Sequence, residues 1–187
     1  LLLNPAAWTT SLAGSSYHLI GIKIRSPDYA HAPNTDGLDI AAQGVHISGV
    51  DIQNGDDSIC MKSPAQDVLV ENSVVRQGNG LVVGTSSNAD FRNITFRNIT
   101  AIGTAFGCHI KFKDAQVGSV SGVVFEDILI QRPQRYAIGI DQNGQGEHRQ
   151  SQLGADESDG GSSAEACPHM RALSLLVPQV GMGANVS

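Results

Sequence analysis

Val68-Leu69-Val70-Glu71-Asn72-Ser73-Val74-Val75 is an apolar stretch interrupted in the middle by a polar break at residues 71–73. The same unit, short β-branched runs around a small or polar break, recurs over residues 19–24, 45–52, 91–101 and 120–130. Aligned on Gly21, Gly49, Asn72, Asn98 and Asp127, the units lie 28, 23, 26 and 29 residues apart. Self-similarity at such a period marks a solenoid, in which each unit buries its apolar face against its neighbours and the loops vary while the strands stay in step. A second apolar or alternating run follows most units, at 58–62, 81–85, 109–112 and 137–141. Both runs carry strand signals, and no segment before residue 145 shows an apolar period of 3.6 over helical length. The chain therefore reads as all-β, a parallel β-helix of about five coils.

An antiparallel sandwich also has many short strands, but it needs hairpin signals. Asn79-Gly80 and Asn143-Gly144 are dipeptides of that kind, and neither is flanked symmetrically by strands. Residues 1–145 are assigned to the central coils of the solenoid, which is incomplete at both ends because neither end shows a cap. Residues 146–187 are assigned to a polar tail. Within it, 147–168 is dominated by Gly, Ser, Glu, Asp and Gln and is expected to be disordered, whereas 170–180 is apolar without the repeat and receives no structure.

With 41% hydrophobic and 16% charged residues the 187-residue chain can build a packed core. Its net charge of −6 disfavours nucleic acid and anionic membranes, which need a basic footprint. No run of about 18 apolar residues suggests a membrane span. Cys60, Cys108 and Cys167 fit neither a zinc pattern nor a redox pair, and one disulfide is possible among them. Sequons at Asn93, Asn98 and Asn185 suit a secreted protein.

Two acidic clusters stand about one coil apart, Asn34-Thr35-Asp36-Gly37 and Gly55-Asp56-Asp57. In a coiled parallel sheet, residues one coil apart lie about 4.8 Å from each other, so Asp36, Asp56 and Asp57 should form one patch. Either cluster alone is an ordinary turn or a calcium-type loop. Together they divide the roles that glycosidic hydrolysis requires, a protonated carboxyl for the leaving oxygen and a carboxylate that activates water or attacks carbon. Like charges at that spacing cannot all ionise freely, so one proton is retained at mildly acidic pH. Adjacent Asp56 and Asp57 would point to opposite faces of a flat strand, and Gly55 would permit the turn that gathers them. Lys111, 54 residues after Asp57, would stack on the same face as a cation for an acidic sugar, and His109 points the same way by the two-residue period.

The runs Asn34-Thr35-Asp36-Gly37-Leu38-Asp39-Ile40 and Asn54-Gly55-Asp56-Asp57-Ser58-Ile59-Cys60-Met61-Lys62-Ser63 closely resemble the first two signature motifs of the polygalacturonases, family 28 of the glycoside hydrolases. The likeness extends from about Pro5 to Asn143. It implies a right-handed parallel β-helix and hydrolysis of a pectic polysaccharide with inversion. Asp56 would be the general acid, and Asp36 with Asp57 would activate water. Asn34 would position substrate or brace the cluster. Lys111 resembles the lysine of the family's Arg-Ile-Lys motif, which binds a galacturonate carboxylate, and Tyr136 falls in a region similar to its late aromatic segment. Two positions depart from the pattern: Asn79 replaces the histidine of Gly-His-Gly, and His109 replaces the arginine of Arg-Ile-Lys. Gly144 stands near where the family often has a tyrosine. Relatives acting on rhamnogalacturonan or modified homogalacturonan vary at such positions, and a carbohydrate-binding β-helix without turnover is the alternative from another class. The resemblance also implies a monomeric, extracellular, cell-wall-acting protein needing no cofactor or metal. Because the likeness begins several coils into the family's helix, a longer complete enzyme is expected.

Overall fold

The computed structural model describes residues 1–26, 32–84, 89–112, 118–142 and 170–177. Among these there is no helix, and three stacks of parallel strands run through a solenoid of about four turns, the five repeats marking its successive levels. The first stack joins β2 (Thr10–Ile20), β4 (Leu38–Ser48), β7 (Gln66–Arg76), β9 (Ala89–Ile102) and β11 (Gly118–Gln131), with Tyr17, Val45, Val68, Ile94 and Val123 in register. The second joins β1 (Leu2–Leu3), β3 (Lys23–Arg25), β5 (Asp51–Gln53) and the later halves of β7, β9 and β11. The third, which carries the candidate site, joins the start of β4 to β6 (Asp57–Met61), β8 (Gly80–Gly84), β10 (Phe106–Phe112) and β12 (Tyr136–Gln142). Every pairing among these twelve strands is parallel, which excludes the sandwich.

The corners explain why the repeat aligns on Gly and Asx. Gly21, Gly49, Asn72, Asn98 and Asp127 all adopt φ between 50° and 67°, the left-handed region. A second ladder, Ser16, Gly44, Asp67, Asn93 and Gly122, does the same at φ from 52° to 68°. Glycine enters that region without a steric penalty, and Asn or Asp tolerates it because the short polar side chain bonds locally. Here those side chains bond from coil to coil: Asn98 Nδ2 donates to Asn72 Oδ1 at 2.7 Å, and Asn93 Nδ2 to Asp67 Oδ1 at 2.7 Å. Two of the three sequon asparagines therefore sit on the corner ladders, while Asn185 lies outside the described residues.

Between the corners, apolar side chains point inward and stack by level. Ile47, Val70, Phe96 and Phe125 form one fully enclosed file, its last two rings parallel at 4.9 Å between centroids. Burial of each such side chain contributes about 1.5–3 kcal/mol, which offsets the entropy of ordering the coil. Cys60 and Cys108 are buried free thiols on this scaffold, and Cys167 lies outside the described residues. β13 (Met170–Val177), which the repeat pattern left without structure, pairs antiparallel with β11. The stretch 147–168, expected to be disordered, and Gly144 lie outside the described residues.

Candidate active site

The site is assembled where the second and third stacks meet. Asp36 sits just before β4, in a segment held on both sides: Thr9 N donates to Asp36 O at 2.8 Å and Gly37 N to Asp57 O at 2.9 Å. A side chain at Gly37 would bring a Cβ within 2.4 Å of Ser58 O, so this close coil-to-coil approach needs glycine. Asp56 and Asp57 are gathered by Asn54 rather than by Gly55, which is not among the residues with positive φ. Fully buried Asn54 takes a place in the corner where other coils bend left-handed, and its Nδ2 lies 2.9 Å from the carbonyls of Thr35, Asp56 and Asp57. Ser58 Oγ donates to Asn54 Oδ1 at 3.0 Å and completes the brace.

The result is one patch in which Asp36, Asp56 and Asp57 each place an oxygen within 4.8 Å of the others. Asn79 follows one coil later. Its Nδ2 bridges Asp56 Oδ1 at 2.9 Å and Asp57 Oδ1 at 3.0 Å, so the residue at the departed histidine position ties two carboxylates together. Lys111 Nζ donates to Asp57 Oδ1 at 3.1 Å. Asn34 contributes through its backbone, whose N–H donates to Asp56 Oδ2 at 3.0 Å, from a left-handed φ of 57°.

The carboxyls divide electrostatically. Burial pushes Asp57 up, but the charge of Lys111 and the Asn79 hydrogen bond outweigh it and hold the group below its ordinary value. Asp36 is pushed up to about 7, first by burial and then by the charges of Asp56, Asp39 and Asp57, against the pull of Lys62. In mildly acidic solution the cluster thus keeps a proton on Asp36 while Asp57 is ionised.

A cavity of about 260 Å³ opens in front of this patch, lined by Asp56, Asn79, Phe106, His109, Lys111 and Arg135. His109 is only 2% exposed; it stacks on Phe106 at 3.9 Å and its Nε2 lies 2.7 Å from Asp141 Oδ2. Burial lowers its pKa more than the hydrogen bond to the Asp141 carboxylate raises it. Tyr136 is 66% exposed beside Phe106 and is not among the residues lining the cavity. Sequence reasoning missed Asn54, Asp39, Lys62, Phe106, Arg135 and Asp141. Asp39 and Lys62 were inside the quoted motifs, one coil apart, and the same stacking rule that paired Asp36 with Asp57 would have found them.

The geometry defines a parallel β-solenoid with three carboxylates gathered in one patch, and comparison with known proteins gives its family. The model of glycosyl hydrolases family 28 matches residues 3–153, and the chain belongs to that family. It is 31% identical over 149 residues to an endopolygalacturonase I of Aspergillus aculeatus, covering 76% of this chain and 39% of that protein. A polygalacturonase of Brassica napus is 33% identical over 128 residues, 65% of this chain and 32% of the relative. The solved structure of a polygalacturonase from Erwinia carotovora ssp. carotovora superposes with a TM-score of 0.66 at 21% identity, over 76% of this chain and 40% of that one. The likeness to that structure is one of fold. The chain spans between 32% and 40% of the length of these relatives.

Proposed function

We propose that this chain carries the catalytic coils of a secreted glycoside hydrolase that cleaves a pectic polysaccharide by attack of water. The observation that supports it most is the carboxylate trio, within 4.8 Å, beside a cavity that also presents Lys111 and Arg135. A uronate chain offers a carboxylate to such cations and a glycosidic oxygen to an acid. Asp56 faces the cavity and serves as the proton donor to the leaving oxygen. The proton that the coupled set retains passes from Asp36 to Asp56 for donation, which leaves Asp36 ionised to hold the attacking water, and Asp57, ionised and braced by Lys111 and Asn79, accepts a proton from that water. No cofactor is required by this chemistry, and a monomer suffices.

Inversion comes from the family resemblance. The oxygens here are closer than the roughly 6.5–9.5 Å usual for inverting carboxyl pairs. The anomer first released, read by proton NMR during hydrolysis, decides the point: release of the retained anomer would overturn the single-displacement mechanism. Formation of new reducing ends on polygalacturonate and on rhamnogalacturonan tests the activity and names the polymer. In an active protein, Asp56→Asn keeps shape but removes the donor and should lower turnover by at least ~10²-fold with little change in affinity. Binding of either polymer without any new reducing ends would instead support the carbohydrate-binding alternative.

A further inference from the structure

Behind the trio lies a second charged group that the mechanism above does not use. Lys62 follows β6, and its N–H donates to Ile40 O at 2.8 Å, which fixes its backbone against β4. From there Nζ stands 3.6 Å from Asp36 Oδ2 and 3.5 Å from Asp39 Oδ1. The two carboxylate side chains are 6% and 7% exposed. Asp39 Oδ1 is buried and has no hydrogen-bond partner, so the ammonium is its compensation. At these separations the interaction is charge compensation more than hydrogen bonding.

We propose that Lys62 is a positioning residue of the site, acting through Asp36: its bridge between Asp36 and Asp39 sets the pH at which Asp36 gives up its proton. The inference rests on the hydrolase reading only for its consequence in catalysis. The charged groups that face Asp36 are Asp56 just before β6, Asp57 at its start, Asp39 from β4, and Lys62; Lys111 from β10 is engaged by Asp57. Of these, Lys62 alone lowers the pKa of Asp36, against three carboxylates and burial. Asp39, itself pushed up by burial with Lys62 pulling it back, supplies one of the opposing charges. Removing the cation and removing the extra carboxylate must therefore move Asp36 in opposite directions, whereas loosening of the fold would move both the same way.

The test is a carboxyl carbon NMR titration of protein labelled at Asp, with Asp36 assigned by Asp36→Asn, on the parent, Lys62→Met, Lys62→Arg and Asp39→Asn. The Asp36 midpoint should rise by about one pH unit or more in Lys62→Met, return towards the parent in Lys62→Arg, and fall in Asp39→Asn. If the parent hydrolyses polygalacturonate, the pH limb of kcat/KM that reports Asp36 should shift in the same three directions. An unchanged Asp36 midpoint in both Lys62→Met and Asp39→Asn would overturn the proposal. If Lys62→Met does not fold, Asp39→Asn and Lys62→Arg alone decide it: a midpoint that does not fall in Asp39→Asn overturns it. A parent without turnover but with these titration shifts would sink the hydrolase reading and leave this one standing.

Discussion

At Asn79 a single amide holds two like charges apart from full repulsion, since both Asp56 Oδ1 and Asp57 Oδ1 accept from its Nδ2. Asn79→Ala should release Asp57 towards a higher pKa, because one of the interactions that lower it is lost while its burial remains. The acidic limb of any pH–rate profile should then move to higher pH, and a limb that stays in place would show that Lys111 suffices. His109 teaches the limit of reading a motif by substitution. The resemblance expects a guanidinium here, and the histidine that stands in its place lines the cavity with its ring nearly enclosed against Phe106 and engaged with Asp141. That partner stands 32 residues away, and only the register of β10 against β12 brings it there. His109→Arg should therefore overpack a closed slot and destabilise by about 1–3 kcal/mol, seen as a lower denaturation midpoint. An unaltered midpoint would mean that the ring can swing out to the cavity. The carboxylate trio was legible because coil spacing stacks Asp36 on the Asp56–Asp57 pair; Asn54 was not, because its role is to satisfy carbonyls that exist only once the corner has formed.

Among the elements, the corner ladders carry the strongest link from sequence to shape. All five residues on which the repeat aligns adopt left-handed φ, so the pattern recorded a backbone requirement as well as a hydrophobic one. Asn98→Ala should cost about 1–2 kcal/mol for the strained backbone. Asn98→Gly removes the same bond to Asn72 without that strain, so the difference between the two variants in urea denaturation measures the corner itself. Equal destabilisation by both would place the cost in the side-chain ladder. β13 lay beyond such inference because it adds antiparallel to β11 and belongs to no repeat.

For the molecule as a whole, the site is a source of instability. Asp36 titrates near 7 when folded and near its ordinary 3.8 when unfolded, so the native state holds the extra proton between those values. Stability from this group is fully present below about pH 4 and declines as pH rises through 7. Asp36→Asn, which cannot ionise, should raise Tm more at pH 8 than at pH 5. A larger gain at pH 5 would contradict the assignment of the retained proton. Asp51 works in the opposite sense: burial raises it, but Arg25 and Arg76 outweigh that and lower its pKa, so its contribution is lost on acidification below the ordinary carboxylate range.

The unequal length of the coils has a consequence for how such a protein can be altered. Along the third stack, successive levels are 21, 22, 27 and 30 residues apart from Ile40 to Met61, Val83, Ile110 and Ile140, yet all five residues remain in register. Extra residues are absorbed between strands without disturbing that register. The connections are thus places where sequence can be gained or lost, or a foreign loop grafted, at the cost of loop closure alone, which grows only slowly with length. A lineage built this way can redraw the walls around its acidic patch while the frame that holds the patch is inherited intact.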